Sequence, residues 1–434
     1  METRKMTLAA SGDSFITRRL PSLVPEEFQN LSQLLKAADV RFTNLEVTTH
    51  DHEGYPSAFS GGTWAIAPPN VLKDLKAYGF NLLAWANNHT MDYSEGGLFA
   101  TERHLNQHEF IHAGVGRNLA EASKPKYLDS PGGRVALISA TSTFHETWRA
   151  GNQRPDVIGR PGINPLRYKT TYCVTSEELN LLSRIADQCA INAGRNLDIK
   201  EGFSVPDPDG VLTFGNLKFI EGSEPKKVTE PLEADMKRIE RAVKEARRQA
   251  DIVIVSLHSH EMEGEDKAAP AEFFKTASRG FIDADADAVI GHGPHILRGI
   301  EIYKNKPIFY SLGNFIFQND TVSALPADFY EKYGLDADAN VADALDYRSS
   351  GGTKGLGTNK SVWESVIAMW EMEGGRVTKI KLYPISLGFG LPRYQRGWPV
   401  LSDDQSILER LQALSRPFGT DIKIEGKIGV IYLS

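Results

Sequence analysis

The chain has few cysteines, no excess of basic residues and no long apolar run. Its 434 residues include two cysteines, Cys173 and Cys189, too few for a disulfide scaffold or a cysteine-rich zinc site. A formal net charge of -7 argues against a nucleic-acid partner. No segment reaches the roughly 18 apolar residues of a membrane span, and no signal-peptide stretch follows the N-terminus. We therefore expect a cytoplasmic protein without a membrane span.

The chain does contain alternating strand and helix patterns. With 41% hydrophobic and 24% charged residues, it has the composition of a globular protein with a sizeable core. Apolar runs alternate with amphipathic segments, which indicates an α/β layered fold. Strands are predicted at 6–11, 39–43, 80–86, 110–114, 134–140, 252–257, 286–291, 299–303 and 308–312. Helices are predicted at 230–250, 269–283 and 403–415.

Breaks in this alternation suggest how the chain is organised. Residues 1–317 are predicted to form the core, with an inserted, substrate-facing segment at about 144–230. Within the insert, Thr175 and Glu178 form a capping box that predicts the start of a helix. Residues 318–361 are polar and rich in Gly and Ser, and we interpret them as a long flexible loop or lid. Residues 362–434 are predicted to complete the same domain with a β-hairpin and a helix.

Five polar motifs each follow a predicted strand. They are Gly12-Asp13, Asn44-Leu45-Glu46, Asn87-Asn88-His89 with Asp92, His258, and Gly291-His292-Gly293-Pro294-His295. Ligand sites in open α/β sheets lie outside the carboxyl ends of the strands. Carboxylate, amide and imidazole groups together suit a divalent metal ion. A lone Asp is more often a helix cap and a lone His a structural residue, so the hypothesis depends on the whole set.

Two further groups of residues are candidates for the same site. His260 follows His258 closely and is predicted to support the ligands or to carry a proton. Four arginines of the inserted segment could bind substrate carboxylates bidentately; they are Arg149, Arg154, Arg160 and Arg167. The alternative for these arginines is a solvated loop with scattered charges.

On these motifs the chain resembles the CapA-like family, also described as poly-γ-glutamate capsule synthesis proteins. The resemblance covers residues 6 to about 317. Besides the motifs above it includes Gly96 and the run Tyr310-Ser311-Leu312-Gly313-Asn314-Phe315. It implies a calcineurin-type metallophosphatase fold, a four-layer α-β-β-α sandwich.

The resemblance also implies roles for individual residues. Asp13 and His295 would hold one metal ion, Glu46 would bridge, and Asn88, His258 and His292 would hold a second. His89 would face the substrate as general acid or electrostatic clamp. We accordingly predict His89, His260 and Asp92 as catalytic residues and Asn314 as a substrate contact. Phe15 stands where a phosphatase usually has a His two residues after the first Asp, so the first metal site would have fewer protein ligands. One or two divalent ions are expected, of Mn, Zn, Fe, Mg or Ca.

The leading functional hypothesis is a metal-dependent enzyme that hydrolyses a peptide-like or polyglutamate-like substrate. A second is a metal-assisted peptide epimerase that moves a proton at a Cα carbon. A third is a phosphoester hydrolase. A fourth, from a different class, is a non-catalytic factor that binds the polymer or a synthase partner. The fold alone does not choose among them.

Overall fold

Two β-sheets pack face to face at the centre of the molecule, and helices cover both outer faces. The computed structural model describes residues 5–20, 26–336 and 338–433. Leu8 and Phe42 of one sheet share a buried cluster with Leu137, Ile254 and Ile290 of the other. Because side chains alternate between the two faces of a strand, the neighbouring apolar residues face the outer helices. The α/β class and the four-layer sandwich, with insertions and a C-terminal hairpin plus helix, are confirmed.

The larger sheet is built around the first strand, Lys5–Phe15. That strand is parallel to Val40–Leu45 on one side and antiparallel to Glu364–Glu373 on the other. The hairpin turn after Glu364–Glu373 consists of Gly374 and Gly375, both at positive φ, as a tight two-residue hairpin loop requires. From edge to edge the strands are Lys423–Glu425, Ile428–Tyr432, Arg376–Ser386, Glu364–Glu373, Lys5–Phe15, Val40–Leu45, Leu82–Ala84 and Ile111–Ala113, with Asn314–Phe317 beside the first strand and Val400–Leu401 beside Arg376–Ser386.

The smaller sheet carries the other predicted strands. Its central strand Ile252–His258 is parallel to both of its neighbours. In order across the sheet the strands are Ile300–Tyr303, Lys306–Phe309, Ala288–His292, Ile252–His258, Gly133–Thr141 and Lys126–Ser130. In the described parts of the chain, three two-stranded pairs lie apart from both sheets: Thr48–Thr49 with Ile66–Ala67, Val115–Gly116 with Gly162–Ile163, and Met262–Glu263 with Asp266–Pro270.

Amphipathic helices form the outer layers. On the smaller sheet, Ile239 and Val243 of one helix pack with Val253 and Val255, as their helical spacing predicts. The C-terminal helix buries Leu408 and Leu411 in the cluster between the sheets. None of the helices in the described ranges has the length and apolar character needed to cross a bilayer. The helices of these layers and of the chain end are Glu26–Lys36, Leu72–Tyr78, Ser94–Gln107, Leu119–Ala122, Glu233–Arg247, Glu272–Asp283 and Ser406–Ser415.

The inserted segment has a small sheet of its own. The strands, in spatial order, are Val211–Phe214, Leu217–Glu221, Tyr168–Val174 and Lys226–Pro231, and the helices are Ser176–Gln188 and Ala193–Glu201. The predicted capping box is confirmed, because the side chains of Thr175 and Glu178 each accept a hydrogen bond from the other's backbone N–H.

The segment 318–361, predicted as a loop, contains regular structure. Its two helices are Ala327–Lys332 and Val341–Arg348, of six and eight residues. Phe329 and Leu345 are buried against the larger sheet's outer cluster, so the segment is attached to the core. The prediction missed these helices because each is short and lies among Gly and Ser residues; the lid role stays a prediction. The chain's 3-10 turns are Pro69–Val71, Glu146–Trp148, Asn319–Thr321, Leu356–Thr358, Lys360–Trp363 and Arg416–Phe418.

Candidate metal centre

The predicted site residues meet where the carboxyl ends of the parallel strands of both sheets converge. Asp13 lies opposite Asn44 and Asn314 on neighbouring strands of the larger sheet. His258 and His292 lie opposite each other in the smaller sheet. A hydrogen bond from the backbone N–H of Gly293 to Asp13 Oδ2, 3.0 Å long, joins the two sheets here. The convergence predicted from the strand ends is therefore present.

The first group of potential ligands comprises Asp13, His258 and His292, whose donor atoms all lie within 4.8 Å of one another. All three side chains are buried. Asp13 Oδ1 is 3.5 Å from His292 Nδ1 and 3.8 Å from His258 Nδ1. The two Nδ1 atoms are only 2.9 Å apart. On the far side of its ring, His292 Nε2 is 2.6 Å from the hydroxyl of Ser256, which fixes the orientation of the imidazole.

The second group comprises Glu46, His260 and His295, within the same 4.8 Å limit. Glu46 is fully buried, yet neither of its carboxylate oxygens has a hydrogen-bond partner. Its Oε2 is 3.7 Å from His295 Nδ1, and its Oε1 is 3.6 Å from His258 Nε2 in the first group. Glu46 therefore lies between the two groups. A buried carboxylate without donors is costly unless a cation or proton compensates it.

Burial is the main cause of the pKa shifts in both groups. It raises the pKa of Asp13 to about 7, against the opposing effect of the Asn44 hydrogen bond. Burial, with nearby Asp13 and Asp92, raises the pKa of Glu46 well above its usual range. Burial also lowers the pKa of His292 and of His295 to about 3. Neutral imidazoles beside uncompensated carboxylates are a donor set that fits a divalent cation.

The structure groups these ligands differently from the arrangement that the resemblance implies. His295 lies with Glu46 and His260, whereas Asp13 lies with His258 and His292. The groups adjoin, since His295 Nδ1 is also 3.8 Å from Asp13 Oδ2. His260, predicted as catalytic, is thus placed as a candidate ligand, with its Nε2 3.2 Å from His258 Nε2. A bridging role for Glu46 stays a prediction.

Asn88, a residue to which the resemblance gives a ligand role, has a buried side-chain oxygen without a partner. Its amide nitrogen donates to the carbonyl of Gly61 at 3.2 Å, while its buried Oδ1 has no partner. Buried amide oxygens normally accept a hydrogen bond. This unpartnered oxygen is therefore free to serve as a ligand, as the sequence predicts.

The backbone of the motif Gly291–His295 has positive φ angles at two residues. His295 has a φ of 60° and Gly293 one of 121°. A non-glycine residue in this region costs on the order of 1–3 kcal/mol and persists only where its neighbours hold it. Asn314 does so, because its Oδ1 is 2.9 Å from His295 Nδ1 and its amide donates to the carbonyls of His295 and Val362. Asn314 is fully buried, so the predicted substrate contact has no geometric support, and its contacts position His295.

His89 and Asp92 form a separate pair. His89 Nδ1 is 2.7 Å from Asp92 Oδ2, and Asp92 also accepts hydrogen bonds from the backbone N–H groups of Ala65 and Gly61. Because Asp92 is held as an acceptor, His89 carries its hydrogen on Nδ1 and keeps Nε2 for another partner. Phe15, in place of a second histidine, packs edge-on against the His89 ring at 5.1 Å.

A cavity of about 400 Å³ opens above these groups. His89, His260 and His295 line it, and its wall also carries five cationic side chains: Lys267, Arg348, Lys354, Arg393 and Arg396. No motif in the sequence marks these residues, and four of them come from segments distant in sequence from the ligands.

The arginines predicted to bind substrate lie elsewhere. Arg149 and Arg154 pair with Glu146 and Asp156 in their own loop, and Arg160 donates to the carbonyl of Arg149. Arg167 is held by Asp235 at 2.7 Å. None of these four arginines is among the described residues that line the cavity. Their local pairing supports the alternative reading of a charged loop.

Comparisons with known proteins agree with the resemblance. A protein called y4sH from Sinorhizobium fredii, itself uncharacterised, is 38% identical over 98% of this chain and 93% of its own length. Capsule biosynthesis protein CapA of Bacillus anthracis is 26% identical over 73% of this chain and 61% of its own length. PGA biosynthesis protein CapA of Bacillus subtilis is 38% identical over 29% of this chain and 34% of its own.

A solved structure and a family model also match. The structure is a Staphylococcus aureus protein described as a candidate 5'-nucleotidase in complex with α-ketoglutarate. It is 12% identical, with a TM-score of 0.36, and the match covers 94% of this chain and 58% of that one. The family model, bacterial capsule synthesis protein PGA_cap, matches residues 7–319. The chain therefore belongs to the family of bacterial capsule synthesis proteins.

Proposed function

We propose that this protein is a metal-dependent enzyme that acts on a peptide-like, polyglutamate-like substrate, most simply by hydrolysis. The observation that carries the proposal is the pair of adjoining ligand groups, of which His260 and His295 line a cavity with several cationic side chains. The relatives named for capsule and PGA biosynthesis support an acidic polymer as substrate class.

Seven residues would hold the metal. They are Asp13, His258 and His292 of the first group, Glu46, His260 and His295 of the second, and Asn88 through its free Oδ1. Four imidazoles favour zinc or iron over magnesium or calcium. When bound, such an ion supplies a Lewis acid that polarises a carbonyl group and lowers the pKa of water.

His89 is proposed as the residue that moves the proton. Asp92 holds His89 Nδ1 at 2.7 Å, and the His89 ring lines the cavity. Its Nε2 is then free to take a proton from the water that attacks the amide carbonyl, and to pass that proton to the nitrogen that leaves when the C–N bond breaks. Asp92 fixes the ring orientation without touching the substrate, so its role is to position His89.

The proposal is tested with purified protein whose metal content has been measured by elemental analysis. The protein is incubated with oligo-γ-glutamate in D₂O, and products are followed by mass spectrometry, with a His89→Gln variant alongside. We expect shortened chains with wild type and at least a 100-fold lower rate with the variant, on the order of general acid–base contributions. Deuterium at Cα without shortening would indicate the epimerase instead. Cleavage of p-nitrophenyl phosphate alone would indicate the phosphoester hydrolase, and binding without reaction the assembly factor.

Ser256→Ala is expected to weaken metal binding by about 10–100-fold, because the hydroxyl that orients His292 is lost. Ser256 Oγ is 2.6 Å from His292 Nε2. The affinity is measured by competition with a chromophoric chelator.

Ser278→Ala provides a matched control. Ser278 is also a buried serine, but it lies in the helix Glu272–Asp283 and its hydroxyl has no hydrogen-bond partner. Unchanged metal affinity in Ser256→Ala, at the level of this control, would contradict the proposed placement of the ion beside His292.

A further inference from the structure

Three cations in the cavity lack an acidic partner. We call Lys267, Arg348 and Lys354 the cationic wall. Among the described residues, no carboxylate lies within 4.0 Å of any of their charged nitrogens. The other two cations of the cavity are neutralised, since Arg393 pairs with Asp346 and Arg396 with Asp320. In the part of the chain that the structure describes, these three cations are therefore outside ion pairs, and the carboxylates Glu46 and Asp320 act on Lys267 and Arg348 only at longer range.

Arg348 is held in the cavity wall by hydrogen bonds to neutral side chains. It is the last residue of the helix Val341–Arg348, where a positive charge is favoured by the helix dipole. Its Nη1 donates to the hydroxyl of Thr63, and its Nη2 donates to Asn319 Oδ1 at 3.3 Å. Thr63 in turn donates to Asn319 at 2.7 Å. Neutral side chains therefore hold the guanidinium in place while its charge stays unpaired.

A guanidinium held in this way is suited to an oxyanion. It presents five N–H donors in a rigid fork, of which these two contacts use two. The side chain is half-buried, and burial lowers the pKa of Arg348 from its ordinary value. Burying a charge without a counter-ion is unfavourable, so a bound anionic ligand would offset the cost of burying the guanidinium. Lys267, also half-buried, lies on the same cavity.

Two of the three members of the cationic wall lie outside the segment that matches the family model. The family model matches residues 7–319, and Arg348 and Lys354 lie beyond it. They reach the cavity because Phe329 and Leu345 anchor the segment 318–361 on the core. The segment thus adds two positive charges to a cavity whose histidines, His89, His260 and His295, lie within the range matched by the family model.

We propose that Arg348, together with Lys267 and Lys354, forms a subsite for a carboxylate group of the substrate, apart from the metal-binding groups. The inference rests on the proposed function for the identity of the substrate, although the subsite itself is a property of the cavity. Arg348 would bind the carboxylate bidentately, and the lysines would add charge without fixed geometry. The subsite would select acidic residues over their amides.

Glutarate binding tests the subsite without any reaction. Isothermal titration is performed on the protein as purified, on Arg348→Gln, and on the control Arg154→Gln, an exposed arginine outside the cavity. We expect Arg348→Gln to bind glutarate at least about tenfold more weakly, the loss typical of a charge-assisted hydrogen bond. Arg154→Gln is expected to match wild type. Arg348→Lys is expected to recover part of the affinity, because it restores charge but not the fork.

A second measurement needs no variant. Phenylglyoxal modification of Arg348 in wild type is followed by peptide mass spectrometry, and glutarate is expected to protect it. Equal glutarate binding by wild type and Arg348→Gln, or no protection, would overturn the subsite. Stronger Arg348-dependent binding of inorganic phosphate than of glutarate would overturn its assignment to carboxylate.

Oligo-γ-glutamate separates this inference from the proposed function. The same titrations are repeated with the oligomer and with its side-chain amide counterpart. Arg348-dependent glutarate binding together with no binding or reaction of the oligomer would support the subsite and reject the polyglutamate-like substrate. If wild type binds the oligomer more tightly than its amide and Arg348→Gln does not, the result supports both the carboxylate subsite and the polyglutamate-like substrate.

Discussion

Replacing His292 by alanine is expected to lower the affinity for a divalent ion by more than about 100-fold, beyond the loss expected for a residue that only supports a ligand. His292 is buried in the first ligand group, with its Nδ1 3.5 Å from Asp13 Oδ1 and 2.9 Å from His258 Nδ1. Removing the ring takes away one donor, and it also leaves Ser256 without its partner. The metal content of the purified variant, measured by elemental analysis, is expected to fall accordingly.

The loss should also appear in thermal stability. A ligand that binds only the folded state stabilises it in proportion to the logarithm of its concentration over Kd. Wild-type protein is therefore expected to melt at a higher temperature as zinc or manganese is added, and His292→Ala is expected to show little such increase. Chelation of the wild type should lower its melting temperature toward that of the untreated variant.

His112→Ala is the matched control. His112 is a buried imidazole of the larger sheet, away from the site, with its Nε2 3.1 Å from Asn106 Oδ1. Its removal is expected to cost stability through the cavity it leaves, with metal affinity unchanged. Equal metal content in His292→Ala, His112→Ala and wild type would show that the buried cluster is not a metal site.

The location of the site could be predicted because topology determines it. Parallel strands in a layered α/β fold send their carboxyl ends to the same edge, and each ligand motif directly follows such a strand. Asp13 and His258 lie close together for that reason, although they are 245 positions apart in the sequence; their role as ligands stays a prediction. The grouping of the ligands could not be predicted in the same way. It depends on how the two sheets face each other, which brings His295 toward Glu46 and His260.

The residues of the cationic wall could not be predicted from the sequence. The inserted segment has several arginines close together in sequence, and the prediction assigned them to the substrate. In the structure, local carboxylates neutralise Arg149 and Arg154. Arg348 is instead brought to the cavity by two short helices whose apolar residues pack on the core. Neither helix has a strong periodic signal of its own, because tertiary contacts stabilise elements of this length.

Gly12→Ala is expected to destabilise the protein by at least about 3 kcal/mol, the upper range for overpacking in a core. A Cβ at Gly12 would overlap the carbonyl oxygen of Gly313 and lie 2.6 Å from its carbonyl carbon. Both atoms belong to backbone, so no side-chain rotation relieves the clash. The free energy of unfolding is measured by urea denaturation at equilibrium.

Gly194→Ala is the control for this change. Gly194 lies in the helix Ala193–Glu201, and a Cβ there would meet nothing within 4 Å. Since alanine is the better helix former, this variant is expected to be unchanged or more stable by up to about 1 kcal/mol. Similar unfolding free energies for the two variants would mean that the close approach of Gly12 and Gly313 is not required.

The Gly12 variant should affect metal binding as well as stability, because the same contact aligns both ligand groups. Asp13 follows Gly12, and its backbone N–H donates to the carbonyl of Gly313 at 2.9 Å. Asn314 follows Gly313, and it holds His295 through Nδ1. Separating the two strands by the width of a methyl group therefore displaces one ligand from each group. If folded Gly12→Ala protein binds metal as tightly as wild type, the approach of these strands serves packing alone.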